Sequence, residues 1–174
     1  MNFRALKENE IECRIAQVYA DKGITLLLYK NARTDSTLLD ETVGAENWQN
    51  KFYECKGNLY CSVGINTNYD LQKMEEAPDR WIWKDDCGSE SYTEKEKGEA
   101  SDAFKRACFK WGIGKELYTA PLIWIPSGQI KKWNEKGQPK DRFRVKYIKT
   151  EKGKIVQLVI FNETTKEDCF KWGL

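Results

Sequence analysis

Residues 93–118, TEKEKGEASDAFKRACFKWGIGKELY, constrain the fold more than any other stretch, because one helical period runs through them. Ala100, Ala103, Phe104, Ala107, Cys108 and Trp111 fall at i, i+3, i+4, i+7, i+8 and i+11, on one face of an α-helix. Lys95, Glu99, Asp102, Lys105, Arg106 and Lys110 occupy the rest of its surface. Thr93 and Glu96 have capping-box spacing, and Gly112 with Gly114 marks the stop. The spacing defines a buried apolar stripe and a charged side. From spacing alone the default is a solvated charged side, with a polyanion-binding side as the alternative.

Around this helix the chain reads as short strands. Residues 11–19 (IECRIAQVY) and 24–29 (ITLLLY) flank the turn Asp21-Lys22-Gly23 and predict a first hairpin. Residues 2–9 before it carry a helical turn or two. A short helix follows over 31–43, with Leu38, Leu39, Thr42 and Val43 at helical spacing and Gly44 at its end. Residues 48–54 and 59–65 make a second hairpin around Cys55-Lys56-Gly57-Asn58. Residues 66–79 read as a surface excursion and 80–84 (RWIWK) as a strand. Beyond the main helix, Pro121 and Pro126 bound a short extended piece. Residues 127–141 form a flexible basic link, and 142–149 with 155–161 a third hairpin with one basic face. Antiparallel hairpins packed on one long amphipathic helix predict an α+β fold, and 174 residues suit a single domain over 1–174.

Composition removes several function classes. There is no histidine, so Ser-His and Cys-His nucleophiles and the zinc-hydrolase sites are excluded. The six cysteines form no CxxC pair, and no metal site or other cofactor is expected. Their scatter, with no signal segment at the N-terminus, predicts reduced thiols in the cytoplasm. No apolar run approaches the roughly 20 residues that span a bilayer, so no membrane partner is expected. Gly114-Lys115 is followed by Glu116, which breaks the Walker A pattern and leaves ATP hydrolysis unsupported. An acidic cluster, Asp85, Asp86 and Glu90, keeps a Mg²⁺-dependent nuclease as the enzyme alternative, against the reading of a solvated loop.

The net charge of +2 conceals an asymmetry. From Ala100 onward there are 16 Lys and Arg against 8 Asp and Glu, and before it 13 against 19. That distribution suits a polyanion-binding surface, or subunits meeting head to tail through opposite charges. Lys105, Arg106 and Lys110 are expected together on the exposed side of the main helix, with Asp102 and Arg106 able to pair at i, i+4. Arg142, Arg144 and Lys146 add a basic strand face. Seven Trp, seven Phe and eight Tyr include stacking partners of the kind single strands use, though Trp81, Trp83 and Trp111 read as packing residues. A passive single-strand coating protein remains a second binding alternative.

Residues 101–114, SDAFKRACFKWGIG, with Lys115-Glu116-Leu117-Tyr118, resemble the signature helix of phage single-strand annealing proteins of the Rad fifty-two type. There a Ser/Thr-Asp-x-x-Lys-Arg-Ala core runs into an aromatic-Gly and a Tyr. Leu39-Asp40-Glu41, Val43-Gly44 and Glu46-Asn47-Trp48 resemble that family's LDE-VVG-ENW stretch, and residues 57–64 its next hairpin. The resemblance covers residues 11–121, and 122–174 add the extra basic hairpin. It implies a β-β-β-α core assembled into an oligomeric ring that binds single-stranded DNA and anneals complementary strands without ATP or bond-making chemistry. It further implies a role in homologous recombination and double-strand break repair in the bacterial host cytoplasm, with a phage or host single-strand-binding protein as a partner. By matching, Lys105 and Arg106 become the leading phosphate contacts and Arg33 the next. Lys95, Lys97 and Lys110 adjoin them, and Arg142 and Arg144 are added from charge.

Overall fold

Each of the three predicted hairpins forms, and each turn is short. In chain order the elements are β1 (Glu12–Tyr19), β2 (Gly23–Tyr29), α1 (Ala32–Val43), β3 (Trp48–Cys55), β4 (Asn58–Asn66), β5 (Trp81–Cys87), α2 (Lys95–Trp111), β6 (Ile123–Pro126), β7 (Phe143–Glu151), β8 (Lys154–Asn162) and β9 (Glu167–Trp172). The computed structural model describes residues 1–68, 80–89 and 95–174, the side chains of residues 95–97 excepted. Residues 69–79 of the expected excursion, Glu90 of the acidic cluster and Thr93 of the capping box lie outside the described residues. The architecture is α+β, with antiparallel sheets and two α-helices among the described residues. None of those helices is long and apolar enough to cross a membrane.

The chain divides into two compact units. The first comprises Met1–Arg4 and Asn31–Ile113. Its sheet has the order β3-β4-β5, all antiparallel. β4 is the central strand, and Cys61, Val63 and Ile65 on it have no solvent exposure. α2 packs on β4 and β5 through the stripe that the periodicity marks out, with Ala103, Ala107 and Cys108 fully buried and Phe104 nearly so. Trp111, at the end of the stripe, is half-buried and donates its indole N–H to the Val63 carbonyl at 3.0 Å. Glu99 accepts the Leu59 N–H at 3.1 Å, a second tie between helix and sheet. α1 starts where Asn31 accepts the Thr34 N–H at 3.0 Å and ends at Gly44, whose N–H reaches the Asp40 carbonyl. Leu38 and Leu39 on α1 are fully buried, each contributing about 1.5–3 kcal/mol of apolar transfer.

The second unit comprises Ala5–Lys30 and Gly114–Leu174. Its six-stranded sheet runs β6-β2-β1-β7-β8-β9, joining the first and third hairpins through the pair Glu12–Arg144. Ile24, Ile125, Leu158 and Ile160 have no exposure and form its core. Two features depart from expectation. β9 lies beyond the last element assigned from the sequence, and it closes the sheet beside β8. Residues 127–141 are not a free link: Asp141, 6% exposed, accepts the Lys131 and Lys132 N–H groups at 2.9 and 2.8 Å and the Asn162 amide at 2.7 Å. A buried carboxylate requires such donors, and meeting that requirement fixes the path of the loop.

Candidate nucleic-acid interface

Helix geometry divides the basic residues of α2. Successive residues are turned by about 100°, so Arg106 and Lys110 share a flank at i, i+4, whereas Lys105 faces another way. The flank of Arg106 and Lys110 meets β5. Arg106 Nε lies 3.5 Å from Asp86 Oδ1 and Lys110 Nζ lies 3.6 Å from Asp86 Oδ2. Lys110 also donates to the Asp85 carbonyl. Lys105 instead stands 3.7 Å from Asp102. The expected Asp102–Arg106 pair is therefore replaced, since Asp102 also accepts from the Ser89 N–H and hydroxyl at 3.2 and 3.0 Å. Arg106 and Lys110 keep side chains 48% exposed beyond their contact with Asp86. Lys95 and Lys97 belong to the first turn of α2, and their side chains lie outside the described residues.

On the opposite flank of α2 a cavity of about 320 Å³ opens between α1, α2 and β3. Arg33 and Ser36 from α1, Ser101 from α2 and Asn50 from β3 supply its polar groups, and Trp48, Phe52 and Phe104 its aromatic walls. The Trp48 and Phe104 rings lie 6.0 Å apart at 35°, and the Trp48 indole is anchored by a 2.6 Å bond to Asp40. Arg33 is exposed, and Ser101 precedes Lys105 by one helical turn. Arg33 and the basic helix, far apart in sequence, thus border one concavity. The walls Trp48 and Phe52 were not singled out as site residues. Their shared face was readable from alternation along β3, but the cavity needs α1 docked beside it.

The two faces of the sheet differ. Register places Ile82, Lys84 and Asp86 on the side of α2, where Lys84 Nζ sits 4.3 Å from the Trp111 ring centroid. Trp81, Trp83 and Asp85 face the other way. There the Trp81 and Trp83 rings are 6.2 Å apart at 28°, Lys51 Nζ stands 4.2 Å from the Trp83 centroid, and the Tyr53 and Tyr60 rings stack at 5.5 Å and 20°. Asp85 accepts from Ser62 and bonds Tyr53. Burial, followed by the Asp85 charge and hydrogen bond, raises the Tyr53 hydroxyl above its ordinary value, and Tyr60 is raised chiefly by the Cys87 thiol. Burial also pushes the Cys61 thiol up to about 11, so it is inert as a nucleophile. Asp85 and Asp86 do not converge, and among the described residues no group of three His, Cys, Asp or Glu is placed to hold a metal ion.

Arg142 and Arg144 belong to the second unit. Arg144 lies 3.5 Å from Glu163 and 4.7 Å from the Phe161 ring centroid. Lys146 binds Asp168 at 2.7 Å, and this hydrogen bond chiefly holds the Asp168 carboxyl below the usual range. Arg142 is exposed, with its backbone N–H tied to Thr164 at 3.2 Å. The basic face of the third hairpin is therefore threaded with acidic partners. No family model, characterised protein or solved structure matches this chain.

Proposed function

We propose that the chain binds single-stranded DNA and anneals complementary strands without ATP, in phage homologous recombination and double-strand break repair. The observation that carries this reading is the cavity between α1, α2 and β3, bordered by Arg33 and set one helical turn from Lys105. Cations there and at Arg106 and Lys110 hold the sugar-phosphate backbone, while the aromatic walls give a base a surface to stack on. The order β3, β4, β5, α2 agrees with the β-β-β-α core that the resemblance implies.

Annealing then requires no bond chemistry. Neutralised phosphates repel each other less, and a homo-oligomeric ring displaying several such sites raises the local concentration of both strands. The setting is the bacterial cytoplasm, where single strands coated by a phage or host single-strand-binding protein are the natural substrate. A nuclease centred on Asp85 and Asp86 is disfavoured, because adjacent strand residues project to opposite faces.

The test is pairing of complementary oligonucleotides in EDTA without nucleotide, read on a gel beside native mass spectrometry for the oligomer. Acceleration of pairing by a large oligomer is expected. Inhibition would indicate a passive coating protein, and strand degradation restored by Mg²⁺ a nuclease. Lys105→Ala with Arg106→Ala should abolish binding while leaving the oligomer intact. With three or four phosphates held per subunit, log affinity should fall against log salt by about 0.7 per contact. Tight binding by the double variant at moderate salt would overturn the assignment.

A further inference from the structure

Both helices of the first unit lie on one side of its sheet, and the other side carries an aromatic array. Along β3, β4 and β5 the rows on that side are Tyr53 with Tyr60, Lys51 with Ser62 and Asp85, and then Gly64 with Trp83, followed by Trp81. The ring pairs are thus four residues apart along β4, roughly 13 Å at strand rise, with Lys51 between them. We propose that this face is a base-stacking surface for single-stranded nucleic acid, taking unpaired bases on Trp83 and Trp81 at one end and on Tyr53 and Tyr60 at the other, with Lys51 meeting a phosphate.

Three observations favour this occupant. First, Trp83 lies flat against the backbone of Gly64: a Cβ there would sit 2.7–2.8 Å from three ring atoms. A ring pressed onto glycine presents its opposite π-face outward, as sheet platforms that stack RNA bases do. Second, all four aromatic residues keep solvent exposure, with Tyr53 at 40%. Such a patch on a sheet is costly unless it is used. Third, the charges of this face suit a polyanion: Asp85 is engaged by the Ser62 and Tyr53 hydroxyls, whereas Lys51 rests on Trp83. An exposed cation–π contact contributes a factor of about two to five, and a stacked base about five to a hundredfold. A base can therefore displace Lys51 from the ring and leave its ammonium beside the nucleotide's phosphate.

The inference rests on the single-strand binding proposed above, and the experiment separates the two. The full chain is titrated with a labelled oligothymidylate and with an oligonucleotide of equal length whose bases are replaced by abasic sites. The wild type is expected to prefer the thymidylate by about tenfold or more. In Trp83→Leu with Tyr53→Leu that preference should fall to about twofold, with abasic affinity unchanged. Arg106→Ala alone should weaken both ligands and keep the ratio. Photo-crosslinking of the wild type to thymidylate, mapped by mass spectrometry, provides a readout independent of how the variants fold. Crosslinks on Trp81, Trp83, Tyr53 or Tyr60 are expected. Crosslinks confined to Trp48, Phe52 and Phe104, or a base preference unchanged in the aromatic variant, would overturn the inference while leaving single-strand binding intact. Binding of neither ligand by the wild type would overturn both.

Discussion

Replacing Asp86 with Asn removes a negative charge from between two cations, and the geometry sets the size and sign of the effect. Arg106 and Lys110 stand 3.5 and 3.6 Å from the Asp86 oxygens. Close charge-assisted bonds run nearer 2.7–2.9 Å, so attraction here is largely Coulombic and orients neither side chain tightly. With both cations about half exposed, each pair contributes on the order of 0–1 kcal/mol, and Asp86→Asn should cost less than about 1 kcal/mol of stability. Binding should move the other way. A phosphate about 4 Å beyond Arg106 would lie roughly 7 Å from the Asp86 carboxylate, a repulsion of about 0.6 kcal/mol at the dielectric of water and 2.4 kcal/mol at an effective value of 20. After screening, affinity for single strands should rise by about two- to tenfold at low salt, and the gain should fade as salt is added. Fluorescence anisotropy of a labelled oligothymidylate over a salt series measures both. Weaker binding by Asp86→Asn at every salt concentration would refute the reasoning, because Asp86 would then be positioning the cations instead of competing with phosphate. A nuclease built on Asp86 predicts loss of cleavage instead.

Two further substitutions test the packing on which the sites depend. Gly64→Ala drives a methyl into the Trp83 ring, an overpacking cost of about 1–3 kcal/mol offset by up to about 1 kcal/mol from the better strand propensity of alanine. It should lower the unfolding midpoint and shift tryptophan emission. Gly57→Ala meets no atom within 4 Å but must hold φ near +75°, so a comparable loss should come with no optical change. Identical emission changes in the two variants would contradict this. Asp141→Ala strands the Lys131 and Lys132 N–H groups and leaves the Asn162 amide only its bond to the Gln129 carbonyl, and should cost about 2–4 kcal/mol in urea unfolding. A loss under about 1 kcal/mol would mean that water replaces the carboxylate.

What the sequence conveyed follows from the range of each interaction. The stripe Ala103, Ala107 and Cys108 was legible because helical period is local, and all three are fully buried. The separation of Lys105 from Arg106 and Lys110 was equally legible from 100° per residue, yet adjacency in the chain suggested a cluster. The partner of that flank was not legible. Asp86 reaches it only because β5 pairs with β4 in the register that sets Asp86 opposite Cys61. The joining of the first and third hairpins likewise depends on one non-local pair, Glu12 with Arg144, which no pattern within either hairpin encodes. β9 escaped notice because Glu167–Trp172 is a short edge strand carrying charge, the composition that keeps edges from pairing with other chains.

β5 ties the two candidate surfaces together. Its even-numbered residues Lys84 and Asp86 meet α2, and its odd-numbered residues Trp81, Trp83 and Asp85 form the aromatic face. A slip of one residue would exchange them, placing indoles under the helix and setting Asp85 in place of Asp86 on the side of Arg106 and Lys110. Something must hold the register, and the fit of Trp83 on Gly64 is suited to it, since any neighbouring β4 residue would present a side chain where the ring now lies. Trp111, bonded to the Val63 carbonyl beside that glycine, fixes α2 to the same point of β4 from the other side. The height at which α2 presents its cations and the outward pose of the Trp83 ring are therefore set by adjacent residues of one central strand. A change at Gly64 should disturb both surfaces together, whereas changes at Arg106 or Tyr53 should each disturb one.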